Sequence, residues 1–166
     1  MTIRTLTDLY IDQLQDIYSA NRQSLEVSKK LRETASSGDL KRALDNGVSG
    51  IEEGMTKVKS LIEGHKADPT GEFCKGMEGL VKEVKAHAIN ADITDGDVRD
   101  ASIIAQYQRM AHYAMAGYGT AAAFAERLGL TNDAATLRKC LDDTQSGDRR
   151  MTGIAVGTVN AEAMAA

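Results

Sequence analysis

The residues with the means to do chemistry fall in two stretches. Gln106-Tyr-Gln-Arg-Met-Ala-His-Tyr-Ala-Met-Ala-Gly-Tyr-Gly119 carries His112 and three tyrosines among small residues, and Asp142-Asp143 offers adjacent carboxylates. Imidazole combined with carboxylate oxygen is the donor set that iron and manganese favour. A carboxylate pair with separated pKa values serves instead as general acid and base, with Glu52-Glu53, Glu78 and Glu83 as the remaining candidates. Spacing argues against both chemistries. Tyr107, Ala111 and Ala114 stand at i, i+4 and i+7 on one helix face, with Tyr113 flanking it. His112 points about 100° away from Ala111. The glutamates share no cleft that the spacing reveals and read as solvated. No CxxC, HExxH, Walker A or complete GxGxxG pattern is present, and no nucleophile elbow accompanies the serines and histidines.

Composition narrows the elements that must position these residues. The 166 residues make one domain, 1–166, by length. With one proline, no tryptophan, two phenylalanines and five tyrosines, the chain favours helix over strand at nearly every position. A net charge of −4 without a basic block gives no support to nucleic-acid binding. No apolar run approaches the roughly eighteen residues of a membrane span, and the opening residues lack a signal-peptide h-region. The expectation is a soluble cytoplasmic protein without membrane contact. Cys74 and Cys140 read as buried or half-buried free thiols.

Apolar periodicity predicts four long helices. The first covers about 5–35, with Leu9, Leu14, Ile17, Tyr18, Leu25 and Leu31 on its buried side and Thr7 or Asp8 as cap. Ser36-Ser-Gly-Asp39 breaks it and supplies Asp39 to cap the second, about 40–64. That helix buries Leu44, Val48, Ile51, Met55, Val58 and Leu61 or Ile62. It also carries Gly47, Gly50 and Gly54, each costing about 1 kcal/mol against alanine in a helix interior. Close helix approach explains three such residues on one face; so does the loss of larger side chains. Lys66 to Asp97 forms a long crossover with its own helix at about 72–89, using Phe73, Met77, Leu80, Val81 and Val84. The third long helix runs over about 98–128, capped by Asp97 and closed by Gly129. The fourth runs over about 132–159 across a soft point at Ser146-Gly147, and the tail from Asn160 to Ala166 frays. Two antiparallel hairpins joined by a long crossover give an all-α, ferritin-like four-helix bundle with a short extra helix between helices two and three.

Short motifs in the same order carry a resemblance over nearly the whole chain. Asp8-Leu-Tyr-Ile-Asp-Gln-Leu-Gln-Asp-Ile-Tyr-Ser-Ala-Asn21, Met77-Glu-Gly-Leu80, Val98-Arg-Asp-Ala101, His112-Tyr113 and Tyr118-Gly119 resemble the YciE/YciF family of ferritin-like proteins. The resemblance implies a bacterial, stress-associated, dimeric bundle with a central di-metal site. In the family pattern a glutamate follows Tyr-Ser-Ala, and here that place is Asn21. The second helix's His-x-x-Glu places hold Gly47 and Gly50. Glu-His-Tyr-Glu on the third becomes Ala111-His112-Tyr113-Ala114. The fourth helix's acidic cluster is matched by Asp142-Asp143-Thr144. The motif frame survives while most coordinating groups are gone.

Elementary chemistry gives the same answer without the family. Glycine and alanine offer no side-chain donor, Asn21 offers one neutral oxygen, and Asp143 alone cannot balance two divalent ions. The expectation is no metal and no cofactor, with two iron or manganese ions as the alternative. Tyr107, His112 and Tyr113 are candidate polar residues of the core or of a cavity, while His65 and His87 read as exposed. A sealed void left by the lost ligands costs about 24 cal/mol per Å³. Tyr107 and methionines, with Ile17, Ile51 and Leu25, are expected to fill it; a residual apolar cavity beside Asn21 and Tyr107 is the alternative.

Three functional readings follow. The first is a metal-free bundle acting as a stress-associated structural or interaction protein, a homodimer with no catalytic residues. The second is a degenerate di-metal oxidoreductase or iron-binding protein. The third is a binding module that accepts a small apolar ligand.

Overall fold

The computed structural model describes residues 3–166. Its elements are α1 (Leu6–Thr34), α2 (Gly38–Gly64), α3 (Lys75–Val84), α4 (Gly96–Arg127), α5 (Thr131–Ile154) and α6 (Asn160–Met164). Widened π-helical turns follow α3 at Lys85–Ile89 and α5 at Ala155–Val159. The chain is an all-α, ferritin-like four-helix bundle with a short extra helix. The helix neighbours run α1, α2, α5, α4 and back to α1, while α3 lies across α1 and α4. The crossover therefore covers one side of the bundle and leaves the α2/α5 side uncovered.

Helix starts are fixed by side chains slightly upstream of those expected. Thr5, not Thr7 or Asp8, caps α1: its hydroxyl accepts from the Asp8 N–H, and the Asp8 carboxylate accepts from the Thr5 N–H at 2.9 Å. This reciprocal capping box satisfies two otherwise orphaned donors. Ser37 rather than Asp39 caps α2, and Asp95 rather than Asp97 caps α4, accepting from the N–H groups of Asp97 and Val98. Gly129, at φ 74°, closes α4 in the left-handed region that glycine enters without penalty. Two expected weak points are continuous. The α5 helix passes through Ser146 and Gly147 unbroken, and the segment expected to fray is helical through Met164, where α6 packs on α4.

The Arg99-Asp100 pair ties the connections down. Asp100 is fully buried, and its two oxygens accept from the Ser36 and Ser37 N–H groups at 2.8 and 2.6 Å. Arg99 donates to the carbonyls of Ala88, at 3.1 Å, and Ile93. One pair on α4 thus anchors both the α1–α2 turn and the end of the crossover.

The core divides into two apolar clusters. One gathers Val27, Leu31, Leu40, Leu44, Met77, Val84, Ile103 and Met151. The other gathers Tyr10, Leu14, Ile17, Val58, Ile62, Ala121 and Leu137. Phe73, expected on the buried side of the crossover, is 52% exposed because α3 starts only at Lys75.

Candidate functional site

A cleft of about 590 Å³ opens between α2 and α5 and reaches to the middle of the bundle. Its buried floor is Asn21, Ser24 and Ser28 on α1 with Tyr107, Met110, Ala111 and Tyr118 on α4. Its exposed rim includes Asn46, Gly50 and Glu53 on α2 and Lys139, Asp143 and Arg150 on α5. Asn21, Gly47, Gly50, Ala111, Ala114, Asp143 and Tyr107 all line this one space.

Two tyrosines reach across it. The Tyr107 hydroxyl and ring end lie against Gly47, where any side chain on α2 would stand. The Tyr118 hydroxyl lies 2.7 Å from the place of a Cβ on Gly54, and it accepts from the Asn21 amide at 2.8 Å. The glycines of α2 are thus partly explained by close approach, but of tyrosine tips rather than of a helix backbone. Gly50 has nothing within 4 Å of a Cβ placed on it and is simply open. Burial pushes the Tyr107 phenol up to about 12, helped by the negative charge of Asp148, and burial likewise raises Tyr118. Both hydroxyls stay protonated at neutral pH.

The expected filling of the centre is incomplete. Tyr107, Tyr118, Met110 and Met151 occupy part of it, Ile51 lines its edge, and a sizeable cleft remains. Ile17 instead packs against Gly117 in the second apolar cluster, and Leu25, though buried, does not line the space. A sealed dry void of this volume would cost on the order of 14 kcal/mol at about 24 cal/mol per Å³. That rivals the whole stability of a domain. The open rim is what makes the space tolerable, because solvent can enter the cleft.

Two candidates lie elsewhere. His112 is not a core or cavity residue: its side chain is 65% exposed and its Nε2 stands 3.2 Å from Asp148 of α5. Tyr113 faces the opposite side, where its hydroxyl contacts Cys74 Sγ at 3.0 Å and donates to Asp16 at 3.1 Å. The reason is helical rotation: positions 107, 111, 114 and 118 share a face, and 112 and 113 turn off it by about 100° and 200°. His65 also departs from expectation. It is half-buried, its Nε2 2.7 Å from Asp133, which also accepts from the Tyr10 hydroxyl at 2.9 Å. His87 is exposed beside Glu83.

The acidic residues are engaged on the surface. Glu52 pairs with Lys29, Glu53 with Lys57, Glu78 with Lys82 and Asp143 with Lys139. Arg149 donates to the Ser146 hydroxyl at 3.3 Å. Among the described residues no group of three or more His, Cys, Asp or Glu side chains is placed to hold a metal ion. The donors at the bundle centre do not fit a di-metal cluster. Two phenols, one amide engaged with Tyr118, and glycine and alanine cannot neutralise paired cations.

Several lining residues were missed in the sequence although spacing marks them. Tyr118 continues the face of Tyr107, Ala111 and Ala114 at i+11. Ser24 and Ser28 follow Asn21 at i+3 and i+7, and Gly147 and Arg150 follow Asp143 at i+4 and i+7.

Residues 5–164 match the family described as Domain of unknown function (DUF892). The chain belongs to this family. The DUF892 chain is 30% identical to Protein YciF of Escherichia coli (strain K12) over 164 residues, 98% of each chain. The crystal structure of the E. coli stress protein YciF superposes with a TM-score of 0.88 at 30% identity, covering 95% of this chain and 99% of that one. YcfI from Rhodopseudomonas palustris superposes with a TM-score of 0.84 at 29% identity, covering 90% and 94%. These likenesses agree with the YciE/YciF resemblance in the motifs. No helix among the described residues is long and apolar enough to cross a membrane.

Proposed function

We propose that this DUF892 protein is a metal-free ferritin-like bundle, a structural or interaction protein of the bacterial stress response, and not a di-metal oxidoreductase. The observation that carries this reading is the donor set around the cleft. Asn21, Gly47, Gly50, Ala111 and Ala114 hold the former ligand positions, and the tyrosines reach into the space beside them. The stress association rests on similarity to YciF, whose crystal structure is described as that of a stress protein. A homodimer in the cytoplasm is part of the same proposal.

Ferrous iron added to the purified protein in air tests it. The reading expects oxidation no faster than in buffer. Saturable, protein-dependent oxidation would contradict it, because that needs a held iron centre. Sedimentation velocity tests the assembly: a single species of twice the chain mass is expected, and a monomer at all concentrations would remove the dimer from the proposal.

A further inference from the structure

The cleft has the make-up of a small-molecule site. Its volume of about 590 Å³ lies within the range of roughly 300–1,000 Å³ usual for ligand pockets. Two polar groups in its wall lack protein partners. Ser28 is fully buried and its hydroxyl has no hydrogen-bond partner. Tyr107 is 8% exposed, and no hydrogen bond among the described residues engages its hydroxyl. Of the two, the Ser28 hydroxyl is also out of reach of solvent, and an unpaired buried hydroxyl is uncommon in folded proteins. Met110, Ala111 and Met151 supply apolar lining to the same cleft.

The rim supplies charge. Lys57 is balanced by Glu53 and Lys139 by Asp143. Arg150 lines the same rim and forms no ion pair among the described residues. The charged groups of the cleft therefore sum to one uncompensated positive charge, at its mouth.

We propose that the cleft binds a small amphipathic carboxylic acid. The carboxylate meets Arg150 at the rim, where a guanidinium can take both oxygens. The apolar or aromatic body lies along Met110, Ala111 and Met151. A hydroxyl or carbonyl on the ligand's body, where it carries one, accepts a hydrogen bond from the Tyr107 or Ser28 hydroxyl. The proposal rests on the metal-free reading, since a di-metal cluster would fill the same space.

Calorimetric titration and thermal melting of the full chain test it, with octanoate and phenylacetate as probes and octanamide and phenylacetamide as neutral controls. The metal content of the same sample is measured first. Saturable binding with a raised melting temperature is expected, the acids binding about tenfold more tightly than the amides. Arg150→Gln is expected to abolish that preference. Gly50→Leu fills open space at the mouth and is expected to weaken binding at least about tenfold without lowering the melting temperature. Metal-free protein that binds none of the probes would overturn this proposal alone. Acids binding no better than amides, or unchanged binding in Gly50→Leu, would also overturn it. Stoichiometric metal in the sample would overturn both this proposal and the reading beneath it.

Discussion

The hydroxyl of Tyr107 on α4 lies against the backbone of Gly47 on α2, in the space that any side chain at position 47 would occupy. The two residues are linked: the phenol fits because α2 presents a hydrogen there. Gly50, one turn further along, faces open space. Alanine should therefore act differently at the two positions. Gly50→Ala should stabilise the protein by up to about 1 kcal/mol through helix propensity. Gly47→Ala should lose that gain to displacement of Tyr107, and part of it should return in the Tyr107→Phe background. Urea unfolding of the singles and the double variant measures the coupling. Equal, additive gains at 47 and 50 would contradict the contact.

Asn21 and Tyr118 form a side-chain hydrogen bond across the cleft floor, at 2.8 Å, with both residues 3% exposed. Tyr118→Phe leaves the Asn21 amide without that partner, at a cost of about 1–3 kcal/mol. The lower end is expected, because the amide borders a cleft that solvent reaches. A neutral effect on the urea midpoint would mean the bridge contributes nothing.

Asp100 accepts from two backbone N–H groups at the α1–α2 turn while fully buried. Asp100→Ala should destabilise the chain by at least about 2 kcal/mol, since hydrogen bonds to a charged acceptor contribute roughly 1.5–3 kcal/mol each. Hydrogen exchange at Ser36 and Ser37 should accelerate well beyond that in the rest of α1. Unchanged protection at those two amides would show that the turn is held by other means.

The tyrosines set an alkaline limit. Burial raises Tyr107 to about 12 and also raises Tyr10, Tyr113 and Tyr118. In the unfolded chain a phenol ionises near about 10. A raised folded value means their contribution is complete below about pH 10 and is lost as pH climbs through the folded values. Phenolate absorbance from these four residues should rise together with loss of helical circular dichroism. Reversible titration of all of them near pH 10 with the helices intact would contradict the burial.

Much of the site was legible because helical spacing is a strong constraint. Residues 107, 111 and 114 share a face whatever the packing, and Gly47, Gly50 and Gly54 fall on one side of α2 for the same reason. What spacing cannot supply is distance between helices. The sequence suggests side chains filling the centre; the structure keeps a cleft, because α2 and α5 stand apart around small residues while Tyr107 and Tyr118 bridge only part of the gap. Position 65 fails for a related reason. His65 reads as exposed from its charged neighbours, yet its partners Asp133 and Tyr10 are distant in sequence and meet it only in the folded bundle. The helix caps shift by two residues because several Ser, Thr and Asp residues compete at each start, and only backbone geometry selects among them.

The central claim is that the bundle centre no longer has the donors to hold paired metal ions. Elemental analysis of protein purified without chelator, from cells grown with added iron and manganese, tests it most directly. The account predicts far less than one equivalent of either metal per chain. A reproducible content of about two iron or manganese ions per chain, the complement of an intact di-metal bundle, would contradict it.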